Sequence, residues 1–341
     1  MDRWIMPLWR VLRVIARILK RLAIGVALAI VALGIATTAL VLASGAPESR
    51  YVPPATTIND ITQLNQTRVA RVIEPRSVEE VVAALKETTG PVSIGGGRFS
   101  QGGQISYPGS VHLDMRRLNR VLDLDVARKQ VTVEAGVTWR QLQQIIDANN
   151  LSVKIMQSYA NFTVGGSLSV NVHGRYIGEG PLVRSVRSIK LVLADGSVVE
   201  ASPELNSELF YGAIGGYGGL GVIVEATLQL EDNVKIERRD TVLPVAEYRA
   251  HFMAHVRDDP EVVFHNADLY PPDFEQARDV SWYRTDAELT IEDRLIPADD
   301  EYVWQPRLAN VIASWDAGKW LRQHVLEPLY YTSDRVAWRN W

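Results

Sequence analysis

The sequence predicts an α+β protein with an N-terminal transmembrane helix, two mixed lobes and a further domain. Residues 22–43 contain no charged side chain, whereas charges of both signs are mixed through the rest of the chain. Between residues 67 and 232, short stretches in which apolar and polar residues alternate are interspersed with stretches of helical periodicity. After Asp232 these signals weaken and tryptophans become frequent, which indicates that a new domain begins there.

The N-terminal segment has the composition of a membrane anchor. Residues 1–21 interleave basic and large apolar side chains, as in an amphipathic helix at a membrane surface. Residues 22–43 are long enough to span a bilayer, which takes about 20 apolar residues. A cleaved signal peptide is the alternative, although signal cores usually span about 7–15 residues. The positive charges predict a single-pass protein with a cytoplasmic N-terminus and its body on the outer, periplasmic face.

Local signals place the elements of the body, which follow a linker at residues 44–66. Ser77 and Thr138 each begin a helix as a capping residue, and Glu208–Ile214 forms a third. Asp195-Gly196 predicts a hairpin turn. Strands are predicted at Val69–Ile73, Pro91–Ile94, Val111–Asp114, Val121–Asp125, Val131–Glu134, Val186–Leu193, Ser197–Ala201 and Val222–Leu230. Ser167–His173 alternates weakly, as a strand would.

Composition excludes several classes of function. A net charge of −4 argues against a nucleic-acid partner, since such proteins normally carry a basic stripe. Without cysteine, the chain has no disulfide, thiolate nucleophile or cysteine-ligated metal. His251 and His255 are spaced to share a helix face, but no glutamate lies between them as in zinc hydrolases. We therefore expect no metal site.

Two glycine clusters indicate that a ligand approaches the main chain. Residues 93–104 read S-I-G-G-G-R-F-S-Q-G-G-Q, and backbone N–H groups in such loops often hold phosphates. Gly216–Gly221 matches G-x-G-x-x-G, yet a predicted helix precedes it and a strand follows it. A dinucleotide-binding turn needs the opposite order. The second cluster is therefore either a plain turn or a contact with another cofactor.

The order of the motifs points to one family. A strand-to-glycine loop at residues 94–103 precedes T-V-G-G at 163–166, N-V-H-G at 171–174 and G-G-x-G-x-x-G-V-I at 215–223. Over about Thr67–Glu231 this series resembles the PCMH-type FAD-binding domain of the vanillyl-alcohol oxidase / p-cresol methylhydroxylase superfamily. The resemblance is to the branch of decaprenylphosphoryl-ribose oxidase and the aldonolactone oxidases. It implies a two-lobed FAD-binding domain at residues 67–232 and a partial substrate cap at residues 233–341.

The resemblance also implies roles for individual residues. The first loop would wrap the FAD pyrophosphate, the middle motifs would run beside the flavin, and the last turn would meet the nucleotide half. The implied cofactor-binding residues are Ser93, Ile94, Gly95, Gly96, Gly97, Arg98, Phe99, Ser100, Gln101, Gly102, Gly103, Ser158, Thr163, Val164, Gly165, Gly166, Val170, Asn171, Val172, His173 and Val222. His173 is either the catalytic base or a residue that packs against the flavin. Since the first loop lacks the histidine that bonds covalently to flavin in many members, we expect dissociable FAD.

These expectations combine into two hypotheses. The first is a membrane-anchored, FAD-dependent oxidoreductase that oxidises an alcohol carbon of a sugar, lactone or related substrate by hydride transfer to flavin N5. Its electron acceptor would be oxygen, a quinone or a protein. The alternative is a tethered FAD-binding module that does not turn over, because the resembled proteins continue well beyond residue 341 and the cap would be incomplete.

Overall fold

The computed structural model describes Ala36 and residues 55–270, 273–297, 309, 312–332 and 334–341. Apart from Ala36, the predicted membrane segments lie outside this part of the chain. No helix among the described residues is long and apolar enough to cross a membrane. The chain divides into two compact units, and the larger one comprises Val52–Ala298 and Tyr331–Trp341.

The first lobe of the larger unit contains a parallel sheet of three short strands in the order β3-β5-β4. Helix α1 begins after Ser77, whose side chain accepts a hydrogen bond from the Glu80 N–H, and buries Val81 and Leu85 beside the sheet. The elements are β1 (Thr57–Ile58), β2 (Thr67–Arg68), β3 (Arg71–Ile73), α1 (Val78–Glu87), β4 (Val92–Gly95) and β5 (Val111–Asp114).

The second lobe is built on an antiparallel sheet of six strands, ordered β10-β9-β11-β7-β6 with β8 pairing to the far end of β11. Helix α2 begins with the predicted capping box of Thr138 and Gln141. The main core of the chain lies here, around the fully buried Trp139 and Phe210. The elements are β6 (Val121–Asp125), β7 (Gln130–Glu134), α2 (Trp139–Ile146), β8 (Leu151–Val153), α3 (Val164–Ser169), β9 (Val186–Val192), β10 (Val198–Ala201), α4 (Ser207–Ala213) and β11 (Val222–Asp232).

A third sheet of four antiparallel strands, ordered β13-β14-β12-β15, follows directly on β11. Its contacts with the second lobe include a bridge between Tyr176 and Phe264 and the ion pair of Arg339 with Glu231. The elements are β12 (Lys235–Pro244), α5 (Val245–His255), β13 (Val262–Leu269), β14 (Gln276–Arg284), α6 (Asp316–Leu321), α7 (Glu327–Tyr331) and β15 (Val336–Trp338). Of these, α6 and residues 327–330 of α7 belong to the smaller compact unit.

One local prediction is wrong. Ser167–His173 was expected to alternate as a strand does, whereas Val164–Ser169 forms helix α3. Thr163 caps this helix by accepting a hydrogen bond from the Gly166 N–H. The helix has only six residues and a single apolar pair, Val164 and Leu168, so its sequence is too short to show a helical period. Its conformation depends instead on the capping residue and on its neighbours in the fold.

Candidate functional site

A cavity of about 360 Å³ opens where three glycine-containing segments meet. Its volume lies within the range of small-molecule sites, about 300–1,000 Å³. Each segment contributes two glycines to the wall, and they are Gly96, Gly97, Gly165, Gly166, Gly218 and Gly221. The three segments are far apart in the sequence, so the cavity is a product of the tertiary fold.

The first wall is the loop that leaves β4. A β-carbon on Gly96 would lie only 2.2 Å from Thr163 Oγ1, and one on Gly97 would lie 3.2 Å from the Asn161 carbonyl oxygen. A β-carbon at Gly96 would force Thr163 to move, and one at Gly97 would crowd the Asn161 carbonyl. The loop backbone is therefore held against residues 161–163, and Arg98 follows with a left-handed φ of 63°.

Arg98 shares a buried carboxylate with a second arginine. The Asp114 side chain accepts hydrogen bonds from Arg98 Nη2 at 2.7 Å and from Arg116 Nη2 at 2.6 Å. Burial raises the pKa of Asp114, but the hydrogen bonds and charges of the arginines outweigh it, so the pKa lies below its usual value. Arg98 also lines the cavity, and its buried Nε has no partner among the described residues. An anion in the cavity would therefore find a cation beside it.

The second wall is the start of α3. A β-carbon on Gly165 would lie 2.7 Å from the β-carbon of Ala135, and the Gly165 N–H donates to the Ala135 carbonyl. The helix therefore packs directly on the residue that follows β7. Glycine at this position allows backbone, rather than side chains, to line this part of the cavity.

Beside α3 lies Gln157, whose amide group is held by two neighbours. Its Oε1 accepts a hydrogen bond from the indole N–H of Trp139 at 2.8 Å. The Ser167 hydroxyl lies 2.8 Å from the same oxygen and also contacts the Trp139 N–H. Trp139 and Ser167 are both buried, and Gln157 lines the cavity.

The third wall is the turn between α4 and β11. The observed order of helix, turn and strand agrees with the sequence prediction and differs from that of a dinucleotide-binding turn. A β-carbon on Gly218 would contact Ile94 at 2.9 Å, so this turn packs against the strand that precedes the first loop. Tyr217 lines the cavity from here and is 61% exposed.

An aromatic cluster borders the cavity. Phe99 and Phe162 both line it, with ring centroids 4.7 Å apart in an edge-to-face contact. Tyr159 packs against both rings, at 5.4 Å from Phe99 and 5.6 Å from Phe162. The cavity wall therefore offers apolar aromatic surface as well as the charge of Arg98.

The cavity gathers about half of the sequence-predicted cofactor residues. Those that line it are Ile94, Gly96, Gly97, Arg98, Phe99, Ser100, Thr163, Gly165, Gly166 and Val170. The side chains of Val164 and Val222 lie in the hydrophobic core instead, and Ser93 Oγ bonds to Ser110 and His112. The remaining predicted residues are absent from the lining, and they are Gly95, Gln101, Gly102, Gly103, Ser158, Asn171, Val172 and His173.

His173 stands apart from the cavity lining. Its side chain is exposed, and its Nδ1 lies 3.3 Å from the carbonyl oxygen of the next residue, Gly174. This contact leaves Nε2 as the ring nitrogen available to a proton donor.

Several lining residues are not among the individually predicted cofactor residues: Gln104, Ile105, Met115, Ala135, Gln157, Phe162, Ser167, Ser169, Tyr217, Gly218, Gly221 and Ile223. The last four lie in the motif at residues 215–223, which the resemblance already assigns to the cofactor, and Phe162 and Ser167 flank the T-V-G-G motif, which could have indicated them. Gln157 gives no local signal, because the side chains that orient it are 10 and 18 residues away along the chain.

The two histidines considered as metal ligands lie on α5 with ring centroids 4.9 Å apart. His251 Nε2 lies 3.4 Å from the buried carboxylate of Asp279, which is also near His265. Burial lowers the pKa of His265. Among the described residues, no group of three histidine, aspartate or glutamate side chains suits a metal ion.

Comparison with known proteins assigns part of the chain to a protein family. Residues 69–202 match a family described as the FAD binding domain. L-gulonolactone oxidase from Mus musculus is 35% identical over 152 residues, which are 45% of this chain and 34% of that protein. Alditol oxidase from a Streptomyces species is 32% identical over 159 residues, 46% of this chain and 38% of the relative.

A third relative is decaprenylphosphoryl-beta-D-ribose oxidase from Mycolicibacterium smegmatis. It is 31% identical over 169 residues, which are 48% of this chain and 36% of the relative. The chain thus spans little more than a third of the length of each of these three curated relatives.

Proposed function

The FAD-binding domain of this chain belongs to the vanillyl-alcohol oxidase / p-cresol methylhydroxylase superfamily, and from this premise we propose that the chain is an FAD-dependent oxidoreductase acting on a CH–OH group. The observation that supports the proposal most is the meeting of three glycine-containing segments at one cavity, two of which lie inside residues 69–202, the region that matches FAD binding domains. The substrate class we propose is a sugar, a lactone or a related alcohol, because the relatives include lactone and alditol oxidases.

FAD is the cofactor of this domain, and the residues of the cavity suit it. The free Nε of Arg98 and the bare backbone of the first loop suit the diphosphate, since charge-assisted hydrogen bonds hold phosphates well. We infer that FAD is held without a covalent bond. The loop at residues 93–104 contains no histidine and the chain contains no cysteine, so neither usual attachment residue is present there.

When bound, FAD supplies the acceptor for the hydride taken from the alcohol carbon. The chain must then position the alcohol and remove its hydroxyl proton, for which a base within hydrogen-bond reach is needed. His173 remains our proposed base, through its Nε2. Electrons would pass on to oxygen, a quinone or a protein.

A second candidate function is an FAD-binding module without turnover. Among the described residues that line the cavity, Arg98 and Tyr217 are the only ionisable side chains, and neither is a base at neutral pH. If His173 does not reach the substrate, no described lining residue replaces it. This observation favours binding without oxidation.

Membrane attachment is the last part of the proposal. The uncharged stretch at residues 22–43, preceded by basic residues 1–21, supports a single-pass anchor with the flavin domain on the outer face. A protein that fractionates with membranes until residues 1–43 are removed would support this, and one that stays in the soluble fraction with them present would oppose it.

The test of the main proposal is optical. We expect the purified full chain to carry the paired near-ultraviolet and blue absorption bands of oxidised flavin, and these bands to bleach when an aldonolactone or alditol is added without oxygen. Bound flavin that no such substrate bleaches would favour the module without turnover. Protein that binds no flavin when FAD is supplied would defeat both candidates.

A further inference from the structure

We propose that Gln157 donates a hydrogen bond from its side-chain amide to the isoalloxazine ring of the bound FAD. The inference rests on the proposed placement of FAD in the cavity, and it assigns to Gln157 a role that the sequence motifs do not indicate. Four features of Gln157 support it: the orientation of its amide, its free N–H donors, the aromatic residues nearby and the buried groups that hold it.

The orientation of the amide is set by chemistry. An indole N–H can only donate, so the Gln157 atom that lies 2.8 Å from Trp139 Nε1 must be the oxygen. The Ser167 hydroxyl lies equally close to that oxygen and 2.9 Å from the Thr163 carbonyl oxygen, and its single proton can be donated to either. Exchanging the amide oxygen and nitrogen would place two donors face to face, at the Trp139 contact. The nitrogen is therefore the other end of the group.

The amide nitrogen has no acceptor within the described structure. Among the described residues, each hydrogen bond of the Gln157 side chain is to its oxygen, and the residue lines the cavity. A primary amide carries two N–H donors. A donor that loses water without gaining an acceptor costs about 1–3 kcal/mol, so a ligand filling the cavity is expected to present an acceptor here.

The surroundings favour an uncharged ring over a diphosphate. Gln157 is neutral and is hydrogen-bonded to Trp139, whose backbone N–H donates to the Phe162 carbonyl. Phe162 lines the cavity in an edge-to-face pair with Phe99. A flat aromatic ligand suits aromatic neighbours of this kind. The isoalloxazine is the part of FAD that is flat and uncharged and that carries carbonyl oxygens and ring nitrogens as acceptors.

The support of Gln157 is rigid. Trp139 is fully buried and begins α2, and Ser167 lies within α3 with 1% of its surface exposed. A donor held in this way needs no rearrangement when charge develops on the acceptor, which is the arrangement that stabilises such charge most. We therefore expect Gln157 to favour the reduced, more electron-rich form of the ring.

Two substitutions separate this role from simple structural support. Gln157→Glu keeps an oxygen for Trp139 and Ser167 but replaces the free N–H donors with a second, negatively charged oxygen. Gln157→Met keeps the length of the side chain and loses both functions. Gln144→Glu on the exposed face of α2 makes the same change of charge away from the cavity and serves as the control.

In the full chain loaded with FAD, we expect Gln157→Glu to weaken FAD binding about ten-fold or more, the factor that the loss of a hydrogen bond and an added repulsion predict. Its visible absorption maxima should shift and its reduction potential should fall. Gln157→Met should lower the potential less and should lower the unfolding midpoint more, because the Trp139 N–H then keeps only its longer, 3.0 Å hydrogen bond to Ser167 Oγ. Gln144→Glu should match the wild type in spectrum and potential.

Gln157→Glu with a wild-type flavin spectrum and potential would overturn the inference, whatever its activity. A loss of FAD affinity without spectral change would also overturn it, since that result assigns Gln157 to the diphosphate or to support alone. If Gln157→Glu binds too little FAD for a spectrum, Gln157→Met decides by the same comparison. A wild-type chain that binds no FAD would instead defeat the cofactor placement itself, so the two failures are distinguishable.

Discussion

At the scale of single residues, the charges around Arg98 explain how a buried acid can coexist with the diphosphate site that we propose. Asp114 is 1% exposed, and two guanidinium groups, those of Arg98 and Arg116, face it. One carboxylate between two arginines leaves one surplus positive charge at the edge of the cavity. That surplus is what a diphosphate in the cavity would neutralise.

His112 yields a prediction about pH at the same scale. Its side chain is fully buried on β5, where Ser93 Oγ contacts its Nδ1 and Gly95 leaves just enough room for the ring. Burial, assisted by the positive charge of Arg98, lowers the pKa of His112 to about 4.

In the unfolded chain the pKa of His112 should lie near 6.5, so the unfolded state takes up a proton at a pH where the folded state does not. The free energy of unfolding is therefore unaffected by His112 above about pH 6.5, and it decreases as the pH falls towards about 4. We expect a loss on the order of 3 kcal/mol across that window, measured by urea unfolding at several pH values.

His112→Gln is the control for this prediction, because glutamine keeps a polar side chain and cannot titrate. It should be less stable than the wild type at neutral pH and lose less stability on acidification. Equal losses in both proteins would assign the acid sensitivity to carboxylates elsewhere.

At the scale of elements, the end of β4 and the start of α3 depend on each other. Gly96 brings the first loop against Thr163, and Thr163 in turn caps α3 through the Gly166 N–H. One side chain thus sets both the approach of the loop and the first turn of the helix. Two walls of the cavity are joined at this point.

A double-mutant cycle measures this dependence. Gly96→Ala should destabilise the protein by about 1–3 kcal/mol, because its β-carbon would overlap Thr163 Oγ1 and the core around the loop is closely packed. Thr163→Ala alone should cost about 1 kcal/mol through loss of the cap. Since the second change removes the overlapping oxygen, the double variant should cost less than the sum.

The measurements are unfolding free energies and FAD dissociation constants for the four proteins of the cycle. A coupling above about 0.5 kcal/mol indicates direct contact between two sites. Strictly additive costs would show that the first loop does not rest on Thr163 in solution.

At the scale of the whole molecule, the cavity lies between segments drawn from both lobes of the FAD-binding domain. The first loop follows the parallel sheet of the first lobe, and the other two walls belong to the second lobe. A ligand that contacts all three walls binds the folded chain and not the unfolded one. Binding and global stability should therefore be linked.

We accordingly expect FAD to stabilise the whole larger unit reversibly. At a free concentration of about 100 times its dissociation constant, it should raise the unfolding free energy by about 2.7 kcal/mol. Riboflavin, which lacks the diphosphate, should give a much smaller effect at the same concentration. The measurement is the urea midpoint as a function of added ligand.

A separate experiment checks how FAD is attached to the protein. Acid precipitation should leave a colourless pellet and a yellow supernatant, since no covalent bond is expected. A yellow pellet would contradict the proposal of dissociable FAD.

Much of the local structure could be predicted from the sequence, because it depends on neighbours in the chain. Ser77 and Thr138 begin helices where their side chains can reach an N–H three residues later, and Asp195-Gly196 turns the chain between β9 and β10. Helix α3 could not be predicted because six residues are too few to show an apolar period, and its cap and its contact with Ala135 depend on the fold. The lining of the cavity was half predicted, through glycines whose spacing is visible in the sequence.

The class of this protein follows from the sequence alone. The order of the glycine turns, the lack of cysteine in the chain and the lack of histidine in the first loop can all be read there. The tertiary structure alone decided which atoms face the cavity. It brought three distant turns together, turned Val164 and Val222 into the core, left His173 outside the lining and aimed the amide of Gln157 through Trp139. The physical reason is that backbone conformation is set locally, whereas the direction of a side chain is set by whichever donors and acceptors packing brings beside it.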